Sequence, residues 1–113
     1  MRILYVPEIA DDLADARDWY ECRSDGLGSE FIRMAYAGFE ELLEFPEKYE
    51  EIHGFFRRAL LRRFPYSIYY QCSGNTVTVY GVFHSSRDPG QIREMLVVGD
   101  AGVLNRGPQS LKT

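Results

Sequence analysis

Cysteine and lysine are both scarce in this chain of 113 residues. The two cysteines, Cys22 and Cys72, lie far apart, and neither belongs to a CxxC pair or a histidine-rich stretch. This spacing excludes a zinc site, and we expect two reduced, buried thiols, no metal and no other cofactor. Lysine occurs only as Lys48 and Lys112, so arginine carries almost all of the positive charge.

Long hydrophobic runs are absent as well. The N-terminal stretch MRILYVPEIADD has an apolar segment of about four residues followed by acids, which is too short for a signal peptide. No run approaches the roughly 18 apolar residues that a membrane helix needs, so we expect a cytoplasmic protein. The hydrophobic fraction of 45% is typical of a folded chain, and the length suits one domain with a single core.

Acidic and basic residues are unevenly distributed around a formal net charge of −4. Residues 8–51 contain fourteen Asp and Glu but four Lys and Arg, whereas residues 52–93 contain six arginines and one aspartate. Two interpretations are open: the acidic helices merely solvate one side of the domain, or the two segments form faces that meet different partners.

Apolar residues recur at helical spacing in two segments of the first half. The first stripe comprises Ile9, Leu13, Ala16 and Tyr20, widened by Trp19. The second comprises Phe31, Ala35, Phe39 and Leu42. These stripes predict one helix from Pro7 to about Ser24 and another from an N-cap at Ser29 to Phe45, joined as an antiparallel hairpin. Before them, Arg2 to Val6 predicts a short strand.

Strand-like patterns follow a connector at residues 48–54. Strands are predicted at residues 57–64, 66–72 and 76–84, with a hairpin turn after the second. The predicted fold is α+β: an N-terminal strand, an antiparallel two-helix hairpin and a three-stranded antiparallel meander, with the helices packed on one face of the sheet.

The last predicted strand, TVTVYGVFH, alternates cleanly between apolar and polar residues. Alternation places Val77, Val79 and Phe83 on one side and Tyr80 and His84 on the other. If the apolar side packs against the helices, Tyr80 and His84 lie on the open face of the sheet.

The pattern fades near the C-terminus. Residues 91–98 are compatible with a short helix or a strand, and the end of the chain is rich in Gly, Asn, Gln and Ser. We therefore predict one domain over residues 1–95 and a flexible tail over residues 96–113.

Four stretches carry a resemblance to a known family: ARDWYECRSDGLGSEFI, LLEFPEKYEEIHG, RRALLRRFPYSIYY and VFHSSRDP. In this order, over roughly Tyr5 to Pro89, they resemble the RelE/ParE superfamily of toxins from type II toxin–antitoxin modules, also known as plasmid stabilisation proteins. The resemblance implies a fold of a strand, two helices and a strand meander. It also implies growth inhibition and a cognate antitoxin that wraps the toxin in a hetero-oligomer.

The resemblance leaves the cellular target open. ParE-like members are known as poisons of DNA gyrase, whereas RelE-like members are metal-independent endoribonucleases that cut mRNA on the ribosome. An acidic chain, few lysines and an ending, FHSSRDPGQIREM, without the aromatic and basic C-terminus of the nucleases favour the ParE-like branch. The alternatives are the nuclease and a non-toxic relative that retains only antitoxin binding.

The candidate site residues differ between these alternatives. For a nuclease, the chemistry of imidazole and the resemblance indicate His84 as acid and base, with Arg87 beside it. The candidates for contact with a target or with phosphate are Arg57, Arg58, Arg62, Arg63 and Tyr80. Strand alternation puts Arg57 and Arg63 on one face and Arg58 and Arg62 on the other, so the four cannot all serve one site.

Overall fold

The computed structural model describes residues 1–53 and 56–96 as one five-stranded sheet with three helices. In chain order the elements are β1 Arg2–Tyr5, α1 Glu8–Arg23, α2 Leu27–Glu44, β2 Glu51–His53, β3 Phe56–Leu60, β4 Tyr66–Ser73, β5 Thr76–His84 and α3 Pro89–Leu96. The strand order is β1-β5-β4-β3-β2; β1 is parallel to β5, and all other neighbours are antiparallel. The predicted α+β fold is confirmed. Within these two ranges, no helix is long and apolar enough to cross a membrane.

The edge of the sheet near β2 and β3 differs from the prediction. Residues 51–53, predicted as part of a connector, form a strand because they pair with β3. β3 ends at Leu60 rather than Phe64, because the chain turns back at once: the amide of Leu61 donates to the carbonyl of Tyr66 at 2.8 Å. Within this turn Arg63 has a left-handed backbone with φ of 70°.

Both predicted helices are present, and their predicted apolar stripes are buried. The buried residues of α1 are Ile9, Leu13, Ala16 and Tyr20, and those of α2 include Phe31, Ala35, Phe39 and Leu42. Trp19 does not widen the stripe, since its side chain is 52% exposed. Its ring packs edge-on against Tyr20, and the guanidinium of Arg23 lies 3.9 Å above it.

Neither cysteine is buried, in contrast to the prediction. Cys22 is exposed and Cys72 is half-buried, and both are free thiols. Cys22 lies two residues after the buried Tyr20, which places it on the outer side of a helix with 3.6 residues per turn.

α2 begins at Leu27, so the predicted N-cap at Ser29 is wrong. Gly26 comes before it with φ of 83°, a backbone conformation that glycine adopts without steric cost. The carboxylate of Glu21 in α1 accepts hydrogen bonds from the amides of Gly26 at 2.8 Å and Gly28 at 2.9 Å. A side chain of the preceding helix thus satisfies the free amides at the start of α2.

β5 contains a β-bulge at Tyr80. Tyr69 of β4 pairs with Gly81, whereas the next residue, Tyr70, pairs with Val79, so Tyr80 is one extra residue on β5. An extra residue reverses the alternation of side chains beyond it, because the side-chain period of a strand is two.

The bulge overturns the predicted orientation of Phe83 and His84. Phe83 was expected on the helix side, but its ring lies 5.5 Å from that of Tyr69 on the second face of the sheet, the face opposite α1 and α2. His84 was expected on the open face, but it packs edge-on against Tyr66, whose ring also contacts Phe31 of α2. His84 therefore lies on the helix side.

α3 covers part of the second face. Residues 91–98 were left open between a helix and a strand; residues 91–96 belong to the helix Pro89–Leu96, and residues 97–98 lie outside the described residues. The buried Ile92 and Leu96 line a small cavity together with Tyr69. Tyr80 is 4% exposed and packs edge-on against Phe56, so it does not lie on an open surface. Leu96 is the first residue of the predicted tail; residues 97–113 of that tail lie outside the described residues.

The link between the helices can be tested with one pair of variants. We expect Glu21→Ala to lower the free energy of unfolding by about 1 kcal/mol, because two amides at the start of α2 lose their acceptor. Ser29→Ala, the control, should stay within about 0.5 kcal/mol of the parent. Urea denaturation followed by circular dichroism measures both. A larger loss for Ser29→Ala would show that the serine is the cap after all.

The contribution of α3 to stability can be tested in the same way. Leu96 is 1% exposed and Leu60 is 64% exposed. Leu96→Ala should cost about 2–5 kcal/mol, because it leaves a cavity in the core. Leu60→Ala should change the stability by less than about 0.5 kcal/mol. Equal stability of the two variants, measured by urea denaturation, would show that α3 does not belong to the folded core.

Candidate functional site

The four clustered arginines point in different directions, and Arg57 serves the fold. Its guanidinium donates to the main-chain carbonyls of Glu47, at 3.4 Å, and Tyr49, and lies 4.0 Å from a carboxylate oxygen of Glu51. Burial raises the pKa of the adjacent Tyr70 to about 12, an effect that the charge of Arg57 partly opposes. Arg57 therefore links the segment that follows α2 to strand β3 of the sheet.

Arg62 and Arg63 both reach back to α2. The Arg62 guanidinium lies 3.6 Å from the carboxylate of Glu41, and that of Arg63 contacts Glu30. The predicted placement on opposite faces is wrong, because β3 has already ended and the turn carries both side chains toward the acidic helix. In both pairs the arginine is well exposed although its glutamate is about three-quarters covered, so solvent screens the pair and we expect each to contribute little to stability.

Arg58 is placed on the second face of the sheet, close to Arg87. Both line a cavity of about 200 Å³ beside α3, together with Tyr69. Arg58 lies 3.9 Å from the carboxylate of the exposed Glu50. The guanidinium of Arg87 lies 4.9 Å above the ring of Phe83, and among the described residues it has no carboxylate partner.

Tyr80 cannot offer an exposed ring to a target. Its side chain is buried at the bulge, and burial raises the pKa of its hydroxyl. Its role in the structure is to fill the second face beside Phe56.

His84 lines a second cavity, of about 520 Å³, between α1 and the end of β5. Its Nδ1 accepts a hydrogen bond from the amide of Ser86 at 2.9 Å and lies 2.7 Å from the Ser86 hydroxyl oxygen. Because Nδ1 is an acceptor, the hydrogen of the neutral ring is on Nε2. Tyr66 and Arg87 line the same cavity. Burial, and then the nearby Tyr20, raise the pKa of Tyr66, so its hydroxyl keeps its proton at neutral pH.

The residues predicted for a nuclease are only partly brought together. Arg87 lines both cavities, the larger one with His84 and the smaller one with Arg58. His84 and Arg58 themselves lie on opposite faces of the sheet, and Arg62 lies at α2. Over residues 1–53 and 56–96, no group of three or more His, Cys, Asp or Glu side chains is placed to hold a metal ion.

Besides the core residue Ala16, three residues of α1 line the larger cavity, and sequence reasoning did not assign them to a site. Asp12, Asp15 and Trp19 all line it. The carboxylate of Asp12 also accepts a hydrogen bond from the amide of Val82 at 3.1 Å, which ties α1 to β5 beyond the bulge. The available signal was their spacing of three and four residues, which predicts a second stripe on one side of the helix.

Comparisons with known proteins agree with this fold. Residues 3–89 match the family described as "ParE toxin of type II toxin-antitoxin system, parDE". A solved structure described as "Chromosomal ParDE TA system from P. aeruginosa" aligns with a TM-score of 0.63 at 17% sequence identity, over 74% of this chain and 95% of that chain. Among curated proteins there is no match. Because the family match spans most of the sequence and all five strands, the chain belongs to the ParE toxin family within the RelE/ParE superfamily.

Proposed function

We propose that this protein is the toxin of a type II toxin–antitoxin module, that it inhibits growth by binding an essential protein of the DNA gyrase type, and that a cognate antitoxin neutralises it in a hetero-oligomer. Both partners belong to the cytoplasm, where we expect the toxin to act. The family match over residues 3–89 supports the toxin role. A plasmid-stabilising role follows if the module is carried on a plasmid.

The β-bulge is the observation that favours protein contact over RNA cleavage. It puts His84 on the helix side of the sheet, whereas Arg58 lies on the second face. Cleavage of RNA needs an acid or base and a phosphate contact within reach of one phosphodiester. The clustered arginines also have acidic or carbonyl partners within the chain, which lowers their value for attracting RNA.

One observation favours the second candidate, a metal-independent endoribonuclease acting on ribosome-bound mRNA. His84 and Arg87 line the same cavity, so an acid or base and one guanidinium are available together. The third possibility is a non-toxic relative that retains only antitoxin binding. Such a protein would not inhibit growth in any toxicity assay.

His84→Gln separates the two active candidates. If the target is a protein, the variant should inhibit growth as the parent does, because glutamine keeps a polar side chain at this position. Induction of the parent should then change the supercoiling of a reporter plasmid and yield no new mRNA ends by primer extension. mRNA fragments with the parent, lost in His84→Gln at an unchanged protein level, would reject the gyrase-type target in favour of the nuclease.

The role of the exposed arginines can be tested with a double variant. We expect Arg58→Gln/Arg62→Gln to keep its melting temperature, because exposed ion pairs contribute little, and to inhibit growth less than the parent, since both guanidiniums are available to a partner. Arg17→Gln/Arg33→Gln, which removes the same charge from the helices, is the control and should stay toxic. A double variant that unfolds, or equal toxicity of the two double variants, would contradict a recognition role for Arg58 and Arg62.

A further inference from the structure

The cavity between α1 and the end of β5 has the size and the lining of a small-molecule site. Its volume of about 520 Å³ falls in the range of roughly 300–1,000 Å³ that is typical of ligand pockets. Aromatic side chains from two elements form part of its wall: Trp19 from α1 and Tyr66 from β4. Aromatic rings of this kind stack on the flat bases of nucleotides, and the stacking depends little on which base is present.

The same cavity presents two side chains of opposite charge that have no oppositely charged partner among the described residues. Asp15 comes from α1, and among the described residues its carboxylate has no hydrogen-bond or ion-pair partner. Arg87 comes from the turn after β5, and no carboxylate of the described residues neutralises it. A ligand that fits this lining has an anionic group at one position and hydrogen-bond donors at another.

Two polar groups that line the same cavity add direction to the site. The Nε2–H of the neutral His84 ring is a donor, because Nδ1 is held by Ser86. The hydroxyl of Tyr66, which burial keeps protonated, can donate or accept. Hydroxyl groups of a sugar are suitable partners for both.

From this lining we infer that the cavity binds a nucleoside monophosphate that has an exocyclic amino group on its base. The base stacks on the aromatic wall, and Asp15 accepts a hydrogen bond from the amino group. Arg87 binds the phosphate as a charge-assisted pair, and His84 and Tyr66 contact the ribose. Nucleotide binding at this site does not depend on which macromolecule the toxin inhibits.

The test is titration of the purified full chain with AMP, adenosine, UMP and inorganic phosphate by isothermal calorimetry. Trp19 is the only tryptophan of the sequence, so its fluorescence reports directly on the cavity. We expect AMP to bind at least about tenfold more tightly than adenosine, which lacks the phosphate, and than UMP, whose base has no amino group. Inorganic phosphate alone should bind more weakly than AMP and should leave the Trp19 emission unchanged.

Two variants with matched controls identify the groups responsible. Arg87→Gln should weaken AMP about tenfold and remove its advantage over adenosine, whereas Arg33→Gln, another exposed arginine without a carboxylate partner among the described residues, should not. Asp15→Ala should weaken AMP but not UMP, whereas Asp11→Ala, one turn earlier on α1, should change neither. Trp19→Leu should weaken all three nucleoside compounds, and circular dichroism verifies that each variant is folded.

Several outcomes would overturn the inference. No heat and no change in Trp19 emission with AMP at millimolar concentration would exclude a nucleotide site. Equal binding of inorganic phosphate and AMP would reduce it to a simple anion site, and equal losses in the control variants would place binding elsewhere. Binding of single-stranded RNA without binding of AMP would assign the surface to a polymer rather than to a mononucleotide. None of these results depends on growth inhibition, so the proposed toxin role stands or falls separately.

Discussion

The extra residue at Tyr80 determines how the side chains at the end of β5 are oriented. β5 lies between β1 and β4 and is the longest strand, so a change of phase within it reorients every side chain from Val82 to His84. As a result, Phe83 lies on the second face and packs there against Tyr69, whereas His84 lies on the side of α1. The larger cavity therefore includes His84 in its lining, whereas the smaller cavity on the second face does not.

Charge pairing within the chain explains the uneven distribution of acids and arginines. The arginines between β2 and β4 meet carboxylates of α2 and of the segment that follows it, at Glu30, Glu41, Glu50 and Glu51. The two halves of opposite charge therefore face each other within one molecule. Because at least one partner of each pair is exposed to solvent, these pairs orient side chains more than they stabilise the fold, and a partner can still compete for them. Arg87 differs, since aromatic contact rather than a carboxylate holds it.

The ParE fold of this molecule does not by itself establish whether the protein catalyses a reaction. The family match accounts for the sheet and the helix hairpin, whereas the second face of the sheet is occupied by α3 through Ile92 and Leu96. Of the residues predicted for a nuclease, Arg58 lies on that face. Here the imidazole is on the other side, and Arg87, at the end of the sheet, is the one residue of the predicted set that lines both cavities within the described ranges. Fold alone does not determine activity.

The sequence by itself determined the α+β class, the buried stripes of both helices and the bounds of β5, because periodicity and turn residues are local properties. The family came from the resemblance of four stretches of sequence and is confirmed by the family match. Tertiary structure decided the rest. β2 exists only because β3 pairs with it, and the start of α2 depends on Glu21 from another helix. The bulge at Tyr80 depends on register with β4, which no alternation within β5 reveals, and so the face of His84 could not be read from the sequence. Residues from α1, β4 and β5 meet in one cavity only after packing, which is why the sequence suggested His84 and Arg87 but not Asp15 and Trp19 beside them.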